Sequence, residues 1–149
     1  MIKISKYLDP NLVFFLNVNT REEVLNFLID QLDHQNKLKD RELFRLAIMD
    51  RERIVSTGIG MGIAIPHAKL PDYNDFFIAI AILNKGMEWH ALDGAPVRLI
   101  FLIGGPDDKQ NDYLQILSCL TLALKEEDRR RKMLTLNTPE DIIELFREV

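Results

Sequence analysis

The sequence predicts an α/β fold: a single layered domain over residues 1–149, with helices on both faces of a largely buried sheet. Three observations point there. β-rich runs alternate with amphipathic runs, so strands and helices are interleaved along the chain. The run FFIAIAIL at 76–83 is apolar without alternation, which suits a strand covered on both sides. No internal repeat, low-complexity tract or composition break divides the chain, and 149 residues are the length of one domain.

In order, residues 12–18 (LVFFLNV) read as the first strand. Thr20 with Glu23 three residues on is a capping box, and Val24, Leu25, Leu28, Ile29 and Leu32 then repeat at helical spacing. That helix fades near 34–37. Asp40 caps a second helix that runs toward Arg53, with Leu43, Phe44, Ala47 and Ile48 on its buried side. Residues 63–65 form a short strand ending at His67, and 71–75 are a turn-rich loop. After the strand at 76–83, a connector at 84–94 leads to a central strand at 97–103, which Gly104-Gly105-Pro106 ends. Asn111 or Asp112 caps a third helix carrying Leu114, Leu117, Leu120, Thr121 and Leu124 along one face. Its other faces are apolar too, so it is expected to be well buried. A short helix covers 127–134. Thr138, Pro139 and Asp141 open the last one, with Ile142, Ile143, Leu145 and Phe146 inward.

The totals exclude several classes. A net charge of −4 argues against a nucleic-acid binder that works by bulk charge. The run EEDRRRK at 126–132 puts acids at a helix start and bases further along, which complements the helix dipole. The single Cys119 rules out an intramolecular disulfide, reads as core, and fits a reducing compartment. Met1-Ile2-Lys3 leads into mixed polar sequence, so no signal peptide is expected. No run is long and apolar enough to span a bilayer, so a cytoplasmic protein without membrane insertion is expected. His34, His90 and Cys119 have no metal-ligand spacing. A structural role for His34 and a surface position for His90 are expected, and no metal.

The stretch TGIGMGIAIPHAK at 57–69 carries the chemistry. Gly58, Gly60 and Gly62 alternate before the short strand, and Pro66 gives His67 a stiff mount. Glycines at every second position match neither a dinucleotide fingerprint nor a Walker loop. Two readings of the glycines are open: a tight turn, or a backbone cradle for phosphoryl oxygens. His67 likewise reads either as structural or as a neutral nucleophile for an anionic group such as a phosphoryl group.

Together with LDPNLVFFLNVNTREEVL at 8–25, ALDGAPV at 91–97 and TPEDI at 138–142, this stretch resembles the fructose/mannitol-type enzyme IIA family. That family belongs to the bacterial phosphoenolpyruvate-dependent phosphotransferase system. The wording TGIGMGIAIPH is most similar to its nitrogen-regulatory branch. The resemblance implies a mixed sheet and a phosphoryl acceptor at His67, loaded by an HPr-like phosphocarrier protein. It implies that Arg51 contacts phosphoryl oxygens, whereas Arg53 belongs to a solvated surface. It implies no nucleotide, metal or organic cofactor. In one respect the sequence departs from the family: Tyr113 stands where a second histidine usually opens the buried helix. The pocket is therefore expected to hold a phosphoryl group with one cation fewer. The reading implied is a phosphorylation-dependent regulator. The alternatives are a relay to a sugar-transport subunit and a non-phosphorylated α/β ligand-binding domain.

Overall fold

The computed structural model describes residues 2–149. Two 3-10 turns lead into strand β1 (Val13–Leu16), which is shorter than the predicted run. Helices α1 (Arg21–His34) and α2 (Arg41–Ile54) follow. Their starts are local chemistry: the Thr20 hydroxyl and the Asp40 carboxylate accept the amides of Glu23 and Leu43, both at 3.1 Å. Then come β2 (Gly58–Gly60), β3 (Ile63–Ala64), β4 (His67–Leu70), β5 (Phe77–Met87) and β6 (Val97–Pro106). Helices α3 (Gln110–Leu124), α4 (Glu127–Met133) and α5 (Pro139–Glu144) complete the chain.

The sheet runs β1-β5-β6-β3-β2, and β4 also pairs with β6. β1 pairs with β5, and β3 and β4 with β6, in parallel, whereas β2–β3 and β5–β6 are antiparallel. The sheet is therefore mixed. Its two faces carry different side chains because a strand alternates with period two. Ala79 and Ala81 of β5 join the core under α1 and α2, where small side chains let helices approach. Ile78, Ile80 and Ile82 join the opposite core with Ile116, Leu120 and Leu124 of α3.

Several expectations are corrected. The strand predicted to stop at Gly104 continues to Pro106, because β4 pairs there: Ala68 with Gly104 and Lys69 with Gly105. Those glycines are packing residues. A Cβ on Gly104 would lie 2.5 Å from the Phe77 ring and 2.7 Å from Phe44, and one on Gly105 would press on Phe76. β5 likewise runs past residue 83 into the predicted connector. Leu43 of α2 is 59% exposed, not buried. α3 starts one residue before Asn111, with Lys109 at the cap and no side-chain cap bond. Its buried stripe is Tyr113, Ile116, Leu120, Ala123 and Leu124, so Leu120 and Leu124 lie inward as expected, whereas Leu114 and Leu122 face outward. At its other end, Arg129 and Arg130 donate to the carbonyls of Ala123 and Leu124, which accounts for the basic run. Cys119 is half-buried.

Glu52, between Arg51 and Arg53 in the last turn of α2, points into the core and is 5% exposed. Its carboxylate accepts from the Thr57 amide at 2.7 Å, the Thr57 hydroxyl at 2.5 Å and the Trp89 indole at 3.2 Å. Arg21 approaches it at 3.7 Å. Removing a buried charged partner leaves the others unsatisfied, so Glu52→Ala is expected to cost about 3–5 kcal/mol in urea unfolding. Glu52→Gln keeps an acceptor and is expected to cost about 1.5–3 kcal/mol. An alanine variant within about 0.5 kcal/mol of wild type, the scale of a neutral surface change, would refute this ranking.

Candidate functional site

His67 is the first residue of β4, and the chain delivers it by two fixed points. The Ile65 amide donates to the Thr57 carbonyl at 3.0 Å, and the Pro66 carbonyl accepts from Ile103 of β6 at 2.9 Å. Pro66 has no N–H to pair, so β3 and β4 are separate segments along one side of β6. The half-buried imidazole has Nδ1 3.1 Å from the Ile65 carbonyl. A carbonyl only accepts, so Nδ1 carries the proton and Nε2 keeps a free lone pair.

Tyr113 lies beside the ring, and the charges of Arg51 and Lys69 act on it. Arg51, in the last turn of α2, donates through Nη1 to the Val55 carbonyl at 2.8 Å. It has no carboxylate partner among the described residues, whereas Arg53 is exposed and pairs with Asp50 at 2.9 Å. Tyr113, in the first turn of α3, is 5% exposed, and its ring centre lies 5.6 Å from that of His67. Lys69 holds its Nζ 4.3 Å from the Tyr113 ring centre and donates to the Gln110 side chain. The structure thus brings His67, Arg51 and Tyr113 together and adds Lys69, which sequence reasoning missed. The signal was the spacing: residues two apart on a strand share a face. It was lost because the strand was ended at His67.

The surroundings keep the ring neutral. Burial is the main cause that pulls the His67 pKa below the usual value. The Arg51 and Lys69 charges act the same way, and the Ile65 hydrogen bond and Glu52 oppose them. Burial also pushes the Tyr113 phenol up, partly offset by Arg51, so the phenol keeps its proton at neutral pH.

The glycines do not reach this pocket. Gly60 and Gly62 have φ of 102° and 75°, and with Met61 they form the turn of the β2–β3 hairpin. Gly62 is level with Arg98 of β6 and His67 with Ile103. At strand rise those positions are about 16 Å apart. The Met61 amide is already taken by the Asp93 carboxylate at 3.1 Å. Backbone donors, Ala95 before Met61, hold that carboxyl below its usual range. The Gly58 amide donates to Ser56. The structure places the three glycines in this hairpin, level with the Arg98 end of β6. His34 closes α1, and exposed His90 faces Glu88 at 3.4 Å; neither adjoins the site.

Residues 6–149 match the model of the family described as "phosphoenolpyruvate-dependent sugar phosphotransferase system, EIIA 2". The chain is 34% identical over 149 residues to the fructose-specific EIIABC component of Bacillus subtilis, covering 99% of this chain but 23% of that protein. It is 35% identical over 130 residues to the fructose-specific EIIA component of Haloferax volcanii, covering 87% of this chain and 84% of that protein. Among solved structures, the nitrogen regulatory protein IIA-Ntr of Neisseria meningitidis superposes with a TM-score of 0.89 at 23% identity. The match covers 96% of this chain and 98% of that chain. The IIA–phosphorylated IIB mannitol complex of Escherichia coli gives 0.80 at 21% identity, over 95% of this chain and 98% of that chain. No helix among the described residues is long and apolar enough to cross a membrane.

In an NMR titration, the His67 imidazole is expected to titrate below the ordinary midpoint of about 6.5. Its lowered folded pKa also sets the sign of a stability effect. Below about pH 6.5 the unfolded chain binds the proton first, so stability is intact above that pH and falls as pH drops toward the folded pKa. A midpoint at or above the ordinary one would contradict the geometry.

Proposed function

The chain belongs to the phosphoenolpyruvate-dependent sugar phosphotransferase system EIIA 2 family, and on that premise we propose that it carries a phosphoryl group on Nε2 of His67. The observation that carries the reading is the imidazole itself. It is neutral, fixed in one tautomer by the Ile65 carbonyl, and under the charge of a guanidinium that has no carboxylate partner among the described residues. The donor is an HPr-like phosphocarrier protein with a phosphohistidine of its own, and the meeting takes place in the cytoplasm. The Nε2 lone pair attacks phosphorus while the donor's P–N bond breaks, its electrons returning to the donor ring. That ring leaves as neutral imidazole when its second nitrogen holds a proton. The His67 proton stays on Nδ1, which goes on donating to the Ile65 carbonyl. Arg51 pairs with two phosphoryl oxygens, and the Tyr113 hydroxyl donates to a third.

Downstream, the signature TGIGMGIAIPH supports a regulator whose contacts change when His67 gains a doubly charged group. The identities of 34–35% to fructose-specific components support the second reading, a relay to a sugar-transport subunit. Transfer of label to a IIB-type subunit separates the two. So does capture of a partner that binds only one phosphorylation state.

Incubation with phosphoenolpyruvate, the first enzyme of the system and the phosphocarrier is expected to give an acid-labile, base-stable label on wild type and none on His67→Ala. A stable label on the alanine variant would sink the assignment. Arg51→Lys loses the two-pronged contact and is expected to slow labelling about ten- to a hundredfold. Arg53→Lys is expected to label at the wild-type rate, and equal slowing at both positions would show that the wrong arginine was chosen.

A further inference from the structure

A phosphoryl group on His67 brings about two negative charges into a half-buried pocket. Arg51 supplies one positive charge, and the neutral Tyr113 phenol supplies none. Where the resemblance placed a second histidine, and with it a second cation, the helix offers only a hydrogen-bond donor. The next side chain on the same face of the strand is Lys69, two residues beyond His67 on β4. Its Nζ lies over the Tyr113 ring at 4.3 Å, and that ring stands 5.6 Å from the imidazole. Its polar partner is the neutral Gln110 side chain. Among the described residues it has no ion pair, unlike Arg41, Arg45, Arg53, Arg129, Arg131, Lys132 and Arg147. An ammonium held by an amide and an aromatic face keeps its full charge available to an arriving anion.

We infer that Lys69 is the second phosphoryl-binding cation of this site, supplying from β4 the charge that Tyr113 cannot supply from α3. The inference rests on phosphorylation at His67. When the phosphoryl group arrives, Nζ exchanges the Gln110 oxygen for a phosphoryl oxygen and moves along the Tyr113 ring, which serves as its guide. Tyr113 then has two tasks: its hydroxyl donates to the phosphoryl group, and its face keeps the lysine at the rim. Besides Lys69, the charges that act on the His67 ring are Arg51 and, with opposite effect, Glu52 of α2.

The test compares wild type, Lys69→Met and Lys69→Arg as full chains, with Gln110→Ala as a control. Methionine keeps the aliphatic stem and removes the charge. Single-turnover transfer from the phosphocarrier is expected to slow about ten- to a hundredfold in Lys69→Met, as for the loss of a charge-assisted contact, and to recover in Lys69→Arg. Gln110→Ala, which frees the ammonium without removing it, is expected to transfer at least as fast as wild type. ³¹P NMR of the phosphorylated proteins gives the readout that a structural role would not move. Loss of a cation favours the singly charged phosphoryl group, so its titration shifts to higher pH in Lys69→Met and stays in place in Lys69→Arg. Slow transfer with an unmoved phosphoryl titration makes Lys69 a prop for Tyr113 and overturns the inference. So does a Lys69→Met protein that matches wild type in both measurements. Should the methionine variant lower the thermal midpoint, Lys69→Gln carries the same comparison. An unlabelled wild type is the distinct outcome that removes the underlying reading as well.

Discussion

The buried carboxylate of Glu52 is the point on which the functional end of the molecule hangs. One side chain joins the last turn of α2, the Thr57 backbone, the Trp89 loop and, through Arg21, the start of α1. A carboxylate so enclosed is tolerated only because donors meet it on several sides. Its position dictates its neighbours. With Glu52 turned inward, Arg51 lies about 100° away around the helix, donates to the Val55 carbonyl, and acts on the imidazole through its charge. With Thr57 clamped, its carbonyl is fixed for the Ile65 amide, and Ile65 in turn holds the His67 ring. The guanidinium and the imidazole are therefore positioned from the same anchor by two short chains of bonds.

The pocket balances opposing demands on one ring. A nucleophilic imidazole must keep a lone pair, so burial and nearby cations that discourage protonation help it. Under the proposed function the same cations are needed once charge arrives, because a half-buried phosphoryl group cannot rely on water alone. Placing fixed positive charge on α2 and β4, and not on the imidazole, meets both demands. Tyr113 fits this division because its phenol stays protonated, adding a donor without adding charge of either sign.

What the sequence disclosed was mostly local. Thr20, Asp40 and Thr138 were legible as helix starts because a cap is made by residues three apart. The apolar run at 76–83 announced a central strand because burial on both faces leaves no alternation. What stayed hidden depended on register between distant segments. Gly104 and Gly105 looked like a stop signal, yet they are small because the rings of Phe44, Phe76 and Phe77 cross over them. The hairpin glycines stand close to His67 in sequence, whereas the extended strand carries Gly60 and Gly62 away from it. Glu52 and Lys69 were overlooked for the same reason. A charged residue in a polar stretch shows nothing of what will fold against it. His67 and Tyr113 were brought together by resemblance and by the fold, not by any pattern within the chain.

The parallel docking of β4 onto the far end of β6 has a consequence for how the protein matures. Residues 67–70 find their partners at 103–106, and Tyr113 arrives only after that. The pocket is therefore incomplete locally: a nascent or partly unfolded chain holds His67 with Ile65 and Lys69 beside it in sequence, but not the Arg51 and Tyr113 side chains that the fold brings to it. Contacts of this span close late, because loop entropy must be overcome before they form. Under the proposed function, competence to accept a phosphoryl group then doubles as a proofreading step. The signalling network would see only chains whose sheet is complete, and damaged or unfinished copies would stay silent without any separate surveillance.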